Sequence, residues 1–367
     1  MAKMLEHFKG CMVGGLIGDC LGAKFECQYE NLVPVEKVDN FLKEIQDPTF
    51  SQVQKFTDDT AMARQIARSF IEKKSFNYQD LARRFSSEYC REPWRGYGQA
   101  VGEVFKALEL DSTDPFKPGA QQFNGSGSYG NGAGMRAHPA ALALHGQDTK
   151  KIIDTAVNIG RITHAHVLGV GGGVLQTLAV TQALKGGTPE DILSGVRVGM
   201  QEFEKEWENT EYSLKLDLVQ EYMDQPDSEL PEICFELGND VSAIDSVPTA
   251  FFCFLRGCKR FQGKDQFEQT IRLAIHLGGD TDTIASMAGA ITGAYLGVQS
   301  IPLYMKKHCE GLEDAEKQAE DIFGVVSSNL ETLSSSSNGD LPKLSSASQE
   351  KLQRLEETEP SNKRQKV

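Results

Sequence analysis

Apolar residues recur along most of the chain at intervals of three and four, which is the spacing of amphipathic helices. Few stretches alternate apolar and polar residues for long enough to form a strand, and no rhythm of alternating strands and helices is visible. The segment 31–56 has no strong period, so we expect a loop with some helix there. The pattern predicts an all-α, compact many-helix single domain with helices at 5–24, 60–74, 78–90, 97–110, 133–145, 148–162, 165–185, 189–206, 211–224, 230–237, 242–261, 265–276 and 283–296.

The first predicted helix carries glycines at four-residue intervals, at Gly10, Gly14, Gly18 and Gly22. This spacing leaves a smooth stripe along one face, against which another helix can pack closely. Asp19 interrupts the apolar run, which is too short to cross a bilayer. We therefore expect a buried core helix and no membrane association.

Two acidic clusters stand at predicted helix starts that are far apart in the sequence. The segment 278–283 reads GGDTDT and precedes a run of small residues, while 57–60 reads TDDT and opens an earlier helix. Each cluster alone is compatible with ordinary helix capping by Asp and Thr. Neighbouring carboxylates repel each other, however, and their oxygens suit a divalent cation such as Mg²⁺. We predict that the two clusters meet and hold two divalent ions between them.

The balance of charge and the cysteines narrow the class of protein. The net charge is −14 and is spread along the chain, which argues against a general affinity for the nucleic-acid backbone. The eight cysteines are dispersed without a C-x-x-C pair, so neither a zinc ribbon nor a thioredoxin-type motif is indicated. Dispersed cysteines in a chain of 367 residues are typical of buried thiols in a reducing compartment.

A glycine-rich stretch, FNGSGSYGNG at 123–132, separates two groups of predicted helices. Glycines permit unusual backbone angles and close approach, so the N–H groups of 126–132 can point at phosphate oxygens. Phe123 and Tyr129 flank this loop and are able to clamp a flat ring such as adenine. The alternative is a surface loop anchored by its aromatic residues. The segment 96–98, GYG, is a second loop of the same character.

Among the histidines, His164 and His166 form an H-x-H pair before a glycine-rich helix. Such a pair can bind zinc, but no third soft ligand is near in the sequence. A single histidine that hydrogen-bonds a ligand phosphate fits better. No G-x-S-x-G elbow is present, so Ser-His-Asp catalysis has no support.

The C-terminal segment is rich in Ser and Glu and ends in a basic cluster, KRQK at 363–366. This composition predicts a folded domain over 1–330 and a disordered tail over 331–367. The basic end is compatible with a nuclear address. A mitochondrial address has no Arg-rich pattern to support it.

Taken together, several motifs resemble those of ADP-ribosylhydrolases of the dinitrogenase-reductase-activating type, in the order found there. The motifs are FTDDTAMAR, RGYG, QFNGSGSYGNG, THAHVLG, ELGNDVSAIDSVPTA and LGGDTDTIASMAGAI. The resemblance covers about residues 7–325 and is closest to the vertebrate branch that acts on serine-linked ADP-ribose and poly(ADP-ribose). Ser126 and Asp240 depart from the family pattern. The resemblance implies an all-α fold with two Mg²⁺ ions at helix N-termini in a ligand cleft.

The resemblance also implies roles for individual residues. The implied metal ligands are Glu26, Thr57, Asp58, Asp59, Asp280, Asp282 and Thr283, with Asp282 shared between the ions. The implied catalytic residues are Glu26, Asp58 and Asp59, with Glu26 as base or gate. The implied ADP-ribose contacts are Asp58, Phe123, Ser126, Gly127, Ser128, Tyr129, Gly130, Asn131, Gly132, His164 and Val241.

The implied activity is Mg²⁺-dependent hydrolysis of O-glycosidic links to ADP-ribose, on serine, in poly(ADP-ribose) or in O-acetyl-ADP-ribose. An acidic residue activates water, and the reaction passes through an oxocarbenium-like state. The alternatives are a hydrolase of arginine-linked ADP-ribose and a non-catalytic ADP-ribose-binding relative. We expect ADP-ribose-modified proteins and poly(ADP-ribose) as partners, no direct nucleic-acid binding, and a monomer. The expected location is the nucleus and cytoplasm, with the mitochondrial matrix as a further candidate.

Overall fold

The computed structural model describes residues 2–26, 32–263 and 265–337. Within these ranges the chain forms helices and no strand, apart from isolated bridges between Gln54 and Cys309 and between Gly130 and Ser242. The all-α prediction is therefore confirmed. Short 3₁₀ helices occur at Asp227–Glu229 and Val298–Ser300. The α-helices are α1 (Ala2–Gly22), α2 (Val35–Gln46), α3 (Asp58–Lys73), α4 (Tyr78–Arg91), α5 (Gln99–Leu110), α6 (Lys117–Gly125), α7 (Gly132–Met135), α8 (His138–Ala143), α9 (Thr149–Arg161), α10 (Val167–Lys185), α11 (Pro189–Trp207), α12 (Glu211–Tyr222), α13 (Leu230–Leu237), α14 (Ala243–Arg260), α15 (Asp265–His276), α16 (Thr281–Leu296), α17 (Leu303–Lys307) and α18 (Leu312–Ser337).

Helices α1 and α16 pack along a seam of small residues and make the most extensive helix–helix contact of the fold. A Cβ atom added at Gly10, Gly14 or Gly18 of α1 would lie 2.1, 2.2 or 2.0 Å from a backbone carbonyl oxygen of α16. A Cβ at Gly22 would lie 2.4 Å from the carbonyl oxygen of Thr281. Because a side chain has no room at these positions, the glycine stripe of α1 allows the two backbones to touch directly.

Helices α10 and α14 complete the core around this pair, and both contact α16. By length and composition, α10 is the one described helix that is apolar enough to cross a membrane, but 83% of its most apolar window is buried inside the fold. Such burial is typical of a core helix. The cysteines of the described ranges form no disulfide, and all of them except Cys90 are buried.

One local prediction was wrong because of a proline, and the expectation of a loop with some helix over 31–56 left the length of that helix open. The helix predicted over 133–145 is divided into α7 and α8, because Pro139 has no N–H to donate to the carbonyl group of the preceding turn. The segment 31–56 contains the twelve-residue helix α2, which buries Val38, Phe41, Leu42 and Ile45 at helical spacing. Its flanking prolines, at 34 and 48, lie outside the helix and do not disrupt it.

Residues 1–326 form one compact unit. Helix α18 was not predicted, and it continues to Ser337, past the predicted domain boundary at residue 330. The remainder of the predicted tail, 338–367, includes the basic cluster at 363–366 and lies outside the described residues.

Candidate active site

The first acidic cluster forms the N-terminal turn of α3. Thr57 is the cap residue, and its hydroxyl oxygen accepts a hydrogen bond from the Asp59 N–H at 3.4 Å. Asp19 of α1 supports the same turn, because its carboxylate accepts the N–H of Thr57 at 3.0 Å and the N–H of Thr60 at 3.1 Å. The Thr60 hydroxyl donates to it as well, at 2.5 Å. The carboxylates of Asp58 and Asp59 are therefore not needed to cap the helix.

The second acidic cluster forms the N-terminal turn of α16. Gly279 precedes it with φ +67°, and a Cβ there would lie 1.9 Å from the carbonyl oxygen of Asn239. That same oxygen accepts the N–H of Asp280 at 2.8 Å, so the glycine lets the turn approach closely enough to be fixed. The side chain of Asn131 donates to Asp280 Oδ2 at 2.6 Å, and Asp282 Oδ1 accepts the N–H of the following threonine at 2.9 Å.

The two clusters meet, although 224 residues separate their contacting members in the sequence. The hydroxyl of Thr283 donates to Asp59 Oδ1 at 3.3 Å. Glu26, in the turn that follows α1, offers a carboxylate oxygen that lies within 4.8 Å of ligand atoms of Asp280 and Asp282. All of these acids line one cleft of about 270 Å³. This acidic cluster is able to hold a metal ion.

The raised pKa values of the acids in the cluster indicate that it needs a positive counter-charge. Burial, and then the neighbouring carboxylate of Asp19, raise the pKa of Asp58 to about 8. Burial and adjacent acids also raise the pKa of Asp59 and of Asp282 well above the usual value. Asp59 Oδ2 is buried, and none of the described residues gives it a hydrogen-bond partner. Crowded carboxylates and an orphaned oxygen fit a divalent cation.

The glycine-rich loop contributes to the cleft with only part of its length. Ser128, Gly130, Asn131 and Gly132 line the cleft together with His164 and Val241. Five residues with roles implied by the resemblance are not among those that line the cleft. They are the implied ADP-ribose contacts Phe123, Ser126, Gly127 and Tyr129 and the implied metal ligand Thr57. Phe123 and Tyr129 are more than half exposed.

Several N–H groups of the loop are already used within the protein. Those of Ser126 and Gly127 donate to the carbonyl oxygens of residues 123 and 122. The N–H of Gly130 donates to Ser128 Oγ at 3.2 Å, and that of Asn131 donates to the carbonyl oxygen of Val241 at 3.0 Å. Four of the N–H groups that were predicted to point at phosphate oxygens are therefore occupied by acceptors within the protein in this conformation.

The two histidines of the H-x-H pair have different surroundings. His164 is buried in the wall of the cleft. His166 caps α10, where its Nδ1 accepts the N–H of Leu168 at 3.2 Å. No set of three metal-ligating side chains that includes either histidine occurs in the described ranges. The zinc interpretation is therefore unsupported.

Three features of the cleft were not predicted. Asp19 was noted only as a polar interruption of α1, and a buried acid inside a glycine-striped apolar helix was the available signal. Arg136 lines the cleft while fully buried, and burial lowers its pKa to about 9. It follows the glycine-rich loop as a single charge in an apolar run, and this pattern also indicates a buried charge that needs a polar partner. Residues 96–101 also line the cleft, and only their GYG part, 96–98, was predicted as a loop of interest.

With this geometry in place, comparison with known proteins identifies the class. Residues 1–331 match the ADP-ribosylglycohydrolase family. The chain therefore belongs to the ADP-ribosylglycohydrolase family and is a hydrolase of glycosidic bonds. A solved structure described as an ADP-ribosylglycohydrolase-related protein complex has the same fold, with a TM-score of 0.64 and 21% identity over 89% of this chain and 100% of that chain.

Within the family, the chain is similar to proteins named ADP-ribosylhydrolase ARH3. It is 39% identical to the one from Xenopus tropicalis over 353 residues, which cover 91% of this chain and 100% of that protein. It is 38% identical to the one from Homo sapiens over 349 residues, which cover 88% of this chain and 94% of that protein. The family resemblance read from the motifs is confirmed by these matches.

Proposed function

We propose that this protein is a Mg²⁺-dependent ADP-ribosylhydrolase that cleaves O-glycosidic links to ADP-ribose. The substrates would be ADP-ribosyl-serine on proteins, poly(ADP-ribose) and O-acetyl-ADP-ribose. The observation that carries the proposal is the contact between the two acidic helix ends, from Thr283 to Asp59 Oδ1, beside Asp59 Oδ2, to which the described residues offer no hydrogen-bond partner. Similarity to proteins named ADP-ribosylhydrolase supports the substrate class.

Seven residues would hold two Mg²⁺ ions. Their carboxylate and hydroxyl oxygens are the hard ligands that Mg²⁺ prefers, and a pair of dications would offset about four acidic charges. When bound, the ions polarise and orient the hydroxyl groups of the ribose that carries the scissile bond. The ligand set is Glu26, Thr57, Asp58, Asp59, Asp280, Asp282 and Thr283.

Glu26 is our assignment for the general base. It is the exposed member of the cluster that it forms with the buried Asp280 and Asp282, so water has access to it. A base in this place can take a proton from the water whose oxygen bonds to the anomeric carbon while the bond from that carbon to the acceptor oxygen breaks, through an oxocarbenium-like state. The acceptor oxygen takes up a proton from solvent or from the protonated base and leaves as a hydroxyl group. Asp58 and Asp59 support the reaction from the opposite helix end.

Binding of the nucleotide part would follow the remaining lining residues. The loop residues Ser128, Gly130 and Gly132 leave space for the diphosphate, with His164 behind them. Val241 is exposed at the edge, where an aliphatic side chain can contact a ribose or an adenine. Phe123 and Tyr129 lie outside the lined volume, so an adenine clamp would require their side chains to move toward the ligand.

The test is incubation of the purified protein with serine-linked and arginine-linked ADP-ribosylated peptides, with Mg²⁺ or with EDTA. We expect release of ADP-ribose from the serine-linked peptide alone and loss of release in EDTA, measured by mass spectrometry. Release from arginine alone would show the N-glycosidic alternative. Binding of ADP-ribose without release from either peptide would show a non-catalytic relative.

A further inference from the structure

His164 faces the glycine-rich loop with one of its two ring nitrogens. A Cβ at Gly132 would lie 2.9 Å from Nε2 and 3.6 Å from Nδ1, and a Cβ at Gly130 would lie 3.5 Å from Nε2. Glycine at these positions leaves room for the ring, and Nε2 is the nitrogen on the loop side. Nε2 has no hydrogen-bond partner in the described part of the chain, whereas Nδ1 lies 2.8 Å from the hydroxyl oxygen of Thr163.

Thr163 determines the direction of that hydrogen bond. Its side chain is fully buried, and its hydroxyl oxygen accepts a hydrogen bond from Arg136 Nη2 at 2.6 Å. A hydroxyl has one hydrogen to donate, and His164 Nδ1 is the acceptor that the described residues provide for it. If Nδ1 carried the proton instead, the Thr163 hydrogen would be buried without an acceptor among the described residues, which is unfavourable.

Arg136 favours the same arrangement. Its guanidinium is buried and lies over the ring of Phe85, 4.7 Å from the centroid. A positive charge behind Thr163 opposes a second N–H pointing towards it from the imidazole. Burial, and then the charge of Arg136, lower the pKa of His164 to about 3, so the ring is neutral and carries a single proton.

We infer that the chain of hydrogen bonds from Arg136 through Thr163 to His164 fixes the imidazole as the tautomer that is protonated on Nε2, which presents a donor to a ligand oxygen in the cleft. Thr163 and Arg136 are then positioning residues, and His164 is the group that touches the ligand. The inference rests on the proposed function only for the identity of that ligand, an oxygen of ADP-ribose. The tautomer itself is a property of the free protein.

The first test is a ¹⁵N NMR measurement of the imidazole of His164 in the wild-type protein without ligand. Nδ1 couples strongly only to the Cε1 hydrogen, whereas Nε2 couples to the hydrogens of both ring carbons, so the unprotonated nitrogen can be assigned. We expect Nδ1 to be the unprotonated nitrogen at neutral pH. A proton on Nδ1, or rapid exchange between the tautomers, overturns the inference whether or not the protein binds ADP-ribose.

The second test compares Thr163→Val with Thr163→Ser by calorimetric titration with ADP-ribose. Valine has the shape of threonine without the hydroxyl, so we expect a mixed tautomer and affinity lowered about tenfold, in keeping with one hydrogen bond. Serine keeps the hydroxyl and should restore both the tautomer and the affinity. Equal affinity in Thr163→Val and wild type, or loss in both variants, refutes the relay. If wild type binds no ADP-ribose, the proposed function fails, while the NMR result still decides the tautomer.

Discussion

The N-terminal turns of α3 and α16 carry the same kinds of side chain but are held in place in different ways. The turn of α3 is held by side chains, because the buried carboxylate of Asp19 accepts three hydrogen bonds from it. The turn of α16 rests on backbone atoms of other segments, through the glycine seam with α1 and the carbonyl oxygens of Asn239 and Gly22, and the side chain of Asn131 adds a hydrogen bond to it. Both supports come partly from α1, so one helix aligns the two halves of the acidic cluster.

This comparison separates two functions that a helix end can serve. An acid in the first turn usually caps the helix and interacts with its dipole. Here the capping is supplied from elsewhere, and the turn acids crowd together at a cost in stability. Such an arrangement is expected when function selects the acids, since strain and like charges are concentrated at functional sites.

The largest effect should come from breaking the seam between α1 and α16. In Gly18→Val the new side chain would meet the α16 backbone, since even a Cβ would lie 2.0 Å from a carbonyl oxygen. We expect a loss of more than about 3 kcal/mol in the free energy of unfolding, or failure to fold. Urea denaturation measures it. As a control, Gly324→Ala places a Cβ in open space on α18 and should not destabilise the protein. Equal stability of the two variants would contradict the direct backbone contact between α1 and α16.

The next effect concerns pH in the metal-free protein. The pKa of Asp58 is raised to about 8, and those of Asp59 and Asp282 are also raised. These acids make the folded state bind more protons than the unfolded state, whereas burial lowers the pKa of His138 to about 4 and that of His164 to about 3, which acts in the opposite sense below about pH 6.5. Above that pH the acids dominate, so stability falls as the pH rises from about 6.5 to 8. We expect a loss of at least about 2 kcal/mol over this window in EDTA.

Two comparisons sharpen that measurement. Addition of Mg²⁺ should restore stability at pH 8, because a bound cation stabilises the charged form of the acids. Asp58→Asn should flatten the pH dependence in EDTA, whereas Asp154→Asn, on the exposed surface of α9, should leave it unchanged. Stability in EDTA that increases from pH 6.5 to pH 8 would contradict the crowding of the acids.

A smaller effect should follow from weakening the side-chain support of α3 alone. Asp19→Asn removes a charge and replaces one of the two acceptor oxygens with an amide donor beside Thr57 and Thr60. We expect Mg²⁺ affinity to fall about tenfold, the scale on which partners of metal ligands act. Calorimetric titration with Mg²⁺ measures it. Thr60→Val removes only the 2.5 Å hydroxyl bond to Asp19 and should cost less, and the reverse order would argue against this support.

The smallest effect concerns the exposed aromatic residues of the loop. Phe123 and Tyr129 are 54% and 55% exposed, so Phe123→Ala and Tyr129→Ala should leave the melting temperature within about 2 °C of wild type. If the rings close on adenine, affinity for ADP-ribose falls about fivefold in each variant. Ribose 5-phosphate, which lacks adenosine and one phosphate, is the control ligand, and its affinity should be the same in wild type and in both variants. Unchanged affinity for ADP-ribose in both variants would contradict the hypothesis that these two rings clamp adenine.

The sequence was informative where the pattern repeats or where like charges are adjacent. The helical period predicted the fold class, and the TDDT and GGDTDT segments stood out because neighbouring acids need a counter-charge. The length of α2 and the break between α7 and α8 were missed, because a proline can mark the end of a helix or interrupt one, and local pattern does not separate the two.

Single residues that act through distant partners could not be predicted in the same way. Asp19 acquires its role from a turn 38 residues away, and Arg136 acquires its own from a threonine 27 residues away. Neither distance is encoded in a local period. Both were nevertheless visible as single charges within apolar runs, which is a signal that something polar must meet them once the chain is folded.

The backbone contact between α1 and α16 also limits how the enzyme can move. Side chains at an interface can change rotamer and let helices slide, but two main chains in direct contact have no such adjustment. The α16 turn is therefore fixed relative to α1, whereas the α3 turn, which is held through the side chain of Asp19, keeps the freedom that a side-chain contact allows. Motions that admit substrate and release product are then expected in the segments around this helix pair rather than within it.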